Sequence, residues 1–382
     1  MSKGALAGSL IVEMASRVCG EYCGKLLADF GAEVIKIEPP GGSPTRAMGP
    51  FKDGIAGPER SALFGYLNTN KKSVVLDLSL ATDRAKLDNL LVRANALIED
   101  SPRTYLKRCG TPDRFPHLVE CVITPFGSDA PDAMQIATSL GVINAGGWAY
   151  HTPSEAAPHL APLKGAGRFL PDCEAGIDAA LCLAASLFRQ RRSGEGQSID
   201  LSEVEVQINR VDAVMGRMLA GEAEPSAART AYDMGGPGKA FACADGFLYL
   251  FMTTKAHWKG LCELMGQPDW AADFAEDWLE FACTAERVAL FRERFAEWAA
   301  AQEKHAVSEA GQKLGVAIVP VNSAADLPDN VQFQYRGYFQ TLEHPVLGQA
   351  LYPTVPYRMS ATPVKLATPA PALGQHGGEI SL

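Results

Sequence analysis

The chain has 382 residues, of which 47% are hydrophobic and 21% are charged, and its formal net charge is −9. This composition excludes a disordered chain, and the negative charge excludes a globally basic surface for nucleic acid or an anionic membrane. The length favours two domains over one compact core. Nine cysteines without paired spacing indicate reduced thiols, and no apolar run reaches the length of a membrane span. With no secretory layout at the N-terminus, we expect a cytoplasmic protein.

The first half of the chain predicts alternating strands and helices. Residues 9–13 form a short apolar strand, residues 22–30 a helix of small residues, and residues 31–38 a second strand that ends before Pro39 and Pro40. A strand, helix and strand within about 30 residues is typical of a βαβ unit and predicts a parallel sheet. Further strands are predicted at 73–78, 96–98, 119–124 and 198–202, and further helices at 84–94, 175–192 and 203–220.

The pattern changes after a polar segment with a proline at residues 221–228. The next residues predict a hairpin at 241–251 that turns at Asp245 and Gly246, helices at 257–265 and 284–302, and a strand at 316–321. We therefore expect an α/β fold with a Rossmann-like large domain and a smaller α+β domain. The predicted division is a large domain at 1–202, a linker at 203–228, a small domain at 229–324, a linker at 325–340 and a C-terminal segment at 341–382 that returns to the large domain.

Several familiar site types are disfavoured by their missing motifs. The turn after the first strand lacks the G-x-G-x-x-G spacing of a dinucleotide site, although the strand ending at Glu38 fits that architecture. Cys19 and Cys23 could share one helix face, but no further zinc ligands lie nearby and the seven histidines form no metal motif. No G-x-S-x-G elbow is present. We expect neither NAD nor a metal.

Two loops could contact a ligand. The segment Asn68–Ser73 holds two amides and two lysines and could bind phosphate oxygens, or could be a solvated polar turn. Arg103 belongs to a second basic cluster with the same ambiguity. The loop 234–239 contains three glycines and is either a mobile lid or a plain connector.

Asp172 stands near the start of an apolar helix of small residues. A carboxylate at a helix start is usually an N-cap that accepts hydrogen bonds from free backbone N–H groups. The local sequence favours that interpretation over a catalytic one.

Taken together, these segments resemble the class III CoA-transferases, which include formyl-CoA transferase and carnitine CoA-transferase and are related to the α-methylacyl-CoA racemases. The resemblance spans nearly the whole chain and rests on several motifs in order. These are residues 15–18, 26–42, 67–78, 172–176, 189–200, 343–348 and 370–376.

The resemblance implies that Asp172 is the catalytic nucleophile, which moves CoA from an acyl-CoA thioester to a free carboxylic acid through an aspartyl anhydride and an aspartyl-CoA thioester. It also implies that Gly235 and Gly236 belong to a mobile loop over the site and that Asp132 is an acidic residue close to it. The residues that it places at CoA are Arg17, Asn68, Asn70, Lys71, Lys72 and Arg103. Coenzyme A enters as substrate, without a permanently bound cofactor, and the family's interlocked homodimer is expected, with a heteromer as the alternative.

Three other functions stay open. A racemase needs a second acid/base group, and this chain has no histidine between His117 and His151. A non-catalytic subunit of a heteromeric transferase and a simple acyl-CoA-binding protein are the others. The loop 18–23 lacks the family's glutamine and the segment 128–132 is short. The resemblance therefore predicts neither the acyl donor nor the acceptor acid.

Overall fold

The structure, a computed structural model, describes residues 4–101, 104–108, 114–147, 168–209, 219, 221 and 236–381. These residues fall into two compact units. The first comprises Met1–Pro153, Leu160–Ala223 and Arg336–Leu382, and the second comprises Ser154–His159 and Glu224–Tyr335. Gly235 and Arg103 lie outside the described residues.

The first unit contains a six-stranded parallel sheet. Its strands are β1 (Leu10–Glu13), β2 (Glu33–Glu38), β3 (Lys72–Val75), β4 (Ala96–Glu99), β5 (Val119–Thr124) and β6 (Gln197–Ser202), in the order β3-β2-β1-β4-β5-β6. This is the order of a Rossmann-type doubly wound sheet, in which the strand order reverses between β1 and β4. The predicted Rossmann-like α/β fold is confirmed.

Helices cover both faces of this sheet. They are α1 (Val18–Asp29), α2 (Ala62–Leu67), α3 (Ala81–Arg93), α4 (Tyr105–Arg108), α5 (Asp132–Gln135), α6 (Ser139–Ala145), α7 (Leu170–Ser193) and α8 (Glu203–Asn209), with short 3-10 turns at Pro44–Ala47 and Lys52–Gly54. On one face, apolar residues of α1 and α7 pack on β1, β4 and β5. On the other face, leucines of α3 pack on β1, β2, β3 and β4. Both faces are buried, as a parallel sheet requires.

The helix α7 packs closely on α1 because small residues line the contact. A Cβ atom added to Gly176 would lie 2.8 Å from the backbone oxygen of Cys19 and 3.2 Å from the backbone nitrogen of Cys23. A larger side chain at Gly176 would therefore force the two helices apart. This contact fixes the second turn of α7, one turn after Asp172, against the first two turns of α1.

The predicted helix start at residue 175 is five residues late. The helix begins at Leu170, its N-cap is Phe169, and Pro171 occupies the first turn, where its missing N–H costs nothing. Asp172 is thus the third residue of the helix, and the interpretation of Asp172 as an N-cap is wrong. Similarly, α1 begins at Val18, four residues before the predicted start.

The C-terminal part of the first unit contains a hairpin of β10 (Phe339–His344) and β11 (Gly348–Pro353). After β11, the chain runs beside the segment that precedes β3 and beside the first residues of β3. Ser73 accepts the N–H of Gly374 at its hydroxyl, 2.9 Å away, and the N–H of His376 at its carbonyl, 3.0 Å away. These bonds hold residues 374–376 against the sheet.

The second unit contains an antiparallel sheet of β7 (Lys239–Cys243), β8 (Gly246–Phe251) and β9 (Ala317–Val321). Its helices are α9 (Lys255–Leu264), α10 (Trp278–Phe281), α11 (Ala285–Ala299), α12 (Lys304–Lys313) and α13 (Val331–Arg336), with a 3-10 turn at Asp269–Asp273. An aromatic core joins helices to sheet and includes Trp258, Phe274, Trp278, Phe291 and Phe295. The predicted α+β hairpin is present, with its turn one residue earlier, at Ala244 and Asp245.

None of the helices among the described residues is both long enough and apolar enough to cross a membrane.

Candidate active site

Three ionisable side chains follow strand ends at the carboxyl edge of the parallel sheet. Arg17 follows β1, Asp100 follows β4 and Glu203 follows β6. Since the strand order reverses between β1 and β4, the crevice at their carboxyl ends is the place where open α/β sheets bind ligands. The fold therefore brings these residues to the position expected for a functional site.

Asp100 holds the segment that leads from β1 into α1. Its Oδ2 accepts the backbone N–H groups of Ser16 at 2.7 Å and of Arg17 at 2.5 Å, and its Oδ1 accepts the Ser16 hydroxyl at 3.0 Å. Burial raises the pKa of Asp100 to about 6 in spite of these hydrogen bonds. The backbone of Arg17 is thereby fixed beside the crevice.

Asp172 lies in the same cluster, carried by the first turn of α7. Its side chain is 4% exposed, and the hydroxyl of Ser139, the first residue of α6, donates to its Oδ2. Burial raises the pKa of Asp172, while the Ser139 hydrogen bond and the positive charge of Arg17 oppose the rise. The result is a carboxylate with few water contacts, which makes it a stronger nucleophile than a solvated one.

Arg17 supplies positive charge to this cluster. Its Nη2 pairs with Oε1 of Glu203 at 2.8 Å and its Nη1 donates to the carbonyl oxygen of Ala137 at 3.1 Å. Burial and the nearby carboxylate of Asp172 raise the pKa of Glu203 to about 7, against the effect of Arg17. Because three acids surround one guanidinium, the cluster favours a proton on one of the carboxyl groups.

The thiol of Cys19 completes the cluster. The Sγ of Cys19 and carboxylate oxygens of Asp172 and Glu203 lie within 4.8 Å of one another, and all three residues are buried. Burial and the adjacent acids raise the pKa of Cys19 well above its usual value, so the thiol stays protonated and is a poor nucleophile. Of these groups, Asp172 is therefore the one suited to attack an acyl group.

Comparison with known proteins shows the family to which this chain belongs. The sequence profile of CoA-transferase family III matches residues 6–377. The chain is 30% identical to succinate–glutarate CoA-transferase of Agrobacterium fabrum over 391 aligned residues, which cover 99% of this chain and 95% of that protein. It is also 28% identical to subunit BbsE of succinyl-CoA:(R)-benzylsuccinate CoA-transferase from Thauera aromatica, over 97% of this chain and 92% of that subunit.

The chain belongs to CoA-transferase family III. A crystal structure of a CAIB/BAIF family protein from Brucella suis superposes with a TM-score of 0.84 at 26% identity, covering 99% of this chain and 98% of that one. The family resemblance inferred from the motifs is confirmed, and with it the assignment of this chain as a CoA-transferase.

The family motif Asn68–Lys72 supplies two buried residues of this CoA-transferase. Lys71 contacts Oε2 of Glu13 at 2.7 Å, donates to the backbone oxygen of Glu21 at 2.6 Å and to Oδ1 of Asn68 at 2.9 Å. Asn68 in turn donates to Oε2 of Glu21 at 3.0 Å. Both side chains are thus engaged within the protein, and their predicted contact with CoA stays a prediction.

Asn70 and Lys72 flank that network in the same family motif. Asn70 takes a positive φ of 63°, donates to Oδ1 of Asp29 at 2.8 Å and accepts the N–H of Ala367 at 2.7 Å. Lys72 begins β3 and pairs at 2.6 Å with Glu33, which begins β2. The amino ends of these strands are on the edge opposite Arg17, so the fold itself does not favour a CoA contact for Lys72, which stays a prediction.

The other predicted site residues are placed as follows. Asp132 is exposed and begins α5, and Ser139, which donates to Asp172, begins α6. Gly236 lies in the second unit, where its carbonyl oxygen accepts Nη2 of Arg292 at 2.8 Å. The predictions for Asp132, Gly235 and Gly236 stay predictions.

Sequence reasoning missed Asp100, Ser139 and Glu203 as members of the site. One signal was available for two of them, because Asp100 and Glu203 each follow the end of a predicted strand, where parallel sheets collect functional residues. Ser139 carries no such signal, since its approach to Asp172 depends on how α6 packs beside α7.

Proposed function

We propose that this protein transfers CoA from an acyl-CoA thioester to a free carboxylic acid, with Asp172 as the covalent acyl carrier. The observation that carries the proposal is the burial of the Asp172 carboxylate in the crevice at the carboxyl ends of the strands, next to Arg17 and Ser139. Succinyl-CoA is a reasonable first donor, because the names of two similar CoA-transferases include it or succinate.

In the first half of the reaction, a carboxylate oxygen of Asp172 attacks the thioester carbonyl carbon. The C–S bond breaks, CoA leaves as thiolate and a mixed anhydride remains. The thiolate then attacks the Asp172 carbonyl carbon of the anhydride, which releases the donor's carboxylate and leaves an aspartyl-CoA thioester.

In the second half, the carboxylate of the acceptor acid attacks the aspartyl-CoA carbonyl carbon and displaces the thiolate. The thiolate attacks the acceptor's carbonyl carbon in the new anhydride, which yields the new acyl-CoA and restores the Asp172 carboxylate. No net proton transfer occurs.

The proposal also includes a loop with Gly235 and Gly236 that excludes water from the reactive intermediates, and Asp132 as an acidic neighbour of the site. It further includes an interlocked homodimer, which is threaded through the segments 203–228 and 325–340.

Trapping with hydroxylamine tests the covalent step. Hydroxylamine cleaves both the anhydride and the aspartyl thioester and converts the carboxyl group to a hydroxamate. After incubation with succinyl-CoA and hydroxylamine, peptide mass spectrometry should locate the modification on Asp172. A label on a different carboxylate would place the active site elsewhere, and no label on any carboxylate would refute a covalent acyl-enzyme.

The racemase alternative receives little support from the site. Glu203 is an acid next to Asp172, but it is fully buried and paired with Arg17, so it is poorly placed to exchange a proton with a substrate carbon. Racemisation of a 2-methylacyl-CoA in the absence of any free acid would favour that alternative.

The rate of acyl transfer should fall as the pH is lowered, because Asp172 attacks only when it is ionised. Burial raises its pKa, so the loss should occur at higher pH than for a solvated aspartate. The substitution Glu203→Gln removes a neighbouring acid and should move the acidic limb to lower pH. Rate profiles of this variant and of Glu205→Gln, an exposed glutamate in the same helix, should differ, and an unshifted limb in Glu203→Gln would contradict the coupling.

A further inference from the structure

The guanidinium of Arg17 has a hydrogen-bond donor that no described residue of the protein accepts. Two of its nitrogens contact Glu203 and Ala137, whereas Nε is buried and has no hydrogen-bond partner among the residues that the structure describes. The side chain is 22% exposed, while its partner Glu203 is fully buried. Arg17 therefore combines an unused donor with a partly exposed side chain in the neighbourhood of Asp172.

The charge of the cluster changes during the proposed reaction. With free enzyme, the Asp172 carboxylate lies in the field of Arg17. In the anhydride and in the aspartyl-CoA thioester the same group is an ester-like acyl group without charge. One negative charge next to the guanidinium is lost at the stage when a free carboxylate must leave or enter.

We propose that Arg17, held in position by Glu203, binds the carboxylate of the acid substrate while Asp172 is in its aspartyl-CoA thioester form, in place of the CoA contact that the family resemblance implies for Arg17. This inference rests on the proposed function and names the group that recognises its second substrate. The substrate carboxylate takes the place of the charge that Asp172 loses, so the cluster has the same net charge in the free enzyme and in the complex.

The surroundings of Arg17 explain why a cation is needed there. Asp100 and Glu203 flank the crevice, and a free carboxylate that approaches two acids is repelled unless a positive charge lies between them. A guanidinium also matches the geometry of a carboxylate with paired N–H donors. Glu203 is a positioning residue, because its ion pair directs Nη2 and leaves Nε on the remaining edge of the guanidinium.

The distinguishing measurement is the KM of each substrate. Arg17→Gln should raise the KM of the acceptor acid roughly 10- to 100-fold, the effect of one lost charge-assisted hydrogen bond, and change the KM of acyl-CoA far less. Arg17→Lys keeps the charge but loses the planar donor pair, so it should show a smaller rise. Glu203→Gln should also raise the KM of the acceptor acid, but by a smaller factor than Arg17→Gln does. If Arg17→Gln fails to fold, Arg17→Lys serves as the test.

Trapping of the acyl-enzyme separates this inference from the function on which it rests. With succinyl-CoA and hydroxylamine but no acceptor acid, Arg17→Gln should still form the Asp172 hydroxamate, provided that the pH is high enough to ionise the carboxyl groups of the cluster. Equal rises in the KM of acid and acyl-CoA, or an acid KM unchanged in both Arg17 variants, would overturn the role of Arg17. Absence of the hydroxamate in the unmodified enzyme would instead overturn the proposed function.

Discussion

Replacing Asp172 with asparagine should lower the rate of CoA transfer by at least roughly 10⁴-fold, the scale on which loss of a covalent nucleophile acts. An amide cannot attack a thioester to give an anhydride, and no second half-reaction can follow. The substitution conserves shape, since the amide oxygen can still accept the Ser139 hydroxyl. It also removes a carboxylate whose ionised form is disfavoured by burial, so the protein should remain at least as stable.

Two measurements make this result specific to the nucleophile. Binding of acyl-CoA, measured by calorimetry, should persist in Asp172→Asn, because only the bond-forming group is altered. Asp178→Asn is the matched control, since Asp178 lies in the same helix and is only partly buried. Transfer by Asp172→Asn at a rate close to that of Asp178→Asn would refute the covalent mechanism.

The fold was largely predictable because its signals are local. Short apolar runs separated by helical patterns recur through the first half of the chain, and they determine a parallel sheet. The position of Asp172 was predictable only through a motif shared with a family, because its local pattern favours a helix cap. The structure shows that the cap is at Phe169, three residues earlier than the carboxylate.

The partners of Asp172 were less predictable because they come from distant parts of the chain. Arg17, Ser139 and Glu203 are brought together by the strand order and by the packing of α7 on α1, and neither is encoded in a short segment. The same limitation applies to the lysines of the motif Asn68–Lys72. In sequence they are adjacent basic residues, but the structure buries Lys71 and exposes Lys72.

This difference between two adjacent lysines predicts unequal effects on stability. Lys71 and Glu13 form an ion pair with both side chains fully buried, and Lys36 shares the same glutamate at 2.9 Å. Lys71→Met should lower the free energy of unfolding by about 3–5 kcal/mol, because it leaves buried oxygen atoms of Glu13, Glu21 and Asn68 without their partner. Lys72→Met removes a pair whose side chains are 40% and 49% exposed and should cost at most about 1 kcal/mol.

Urea denaturation of the two single variants at the same protein concentration measures this contrast. The double variant Glu13→Gln/Lys71→Met should recover part of the loss, because it no longer places an excess carboxylate charge in the interior. The same proteins also test the predicted CoA contacts, since a stable Lys72→Met with an unchanged KM for acyl-CoA would remove Lys72 from the CoA site. Equal destabilisation by Lys71→Met and Lys72→Met would show that the buried network contributes no more to folding than a solvated ion pair.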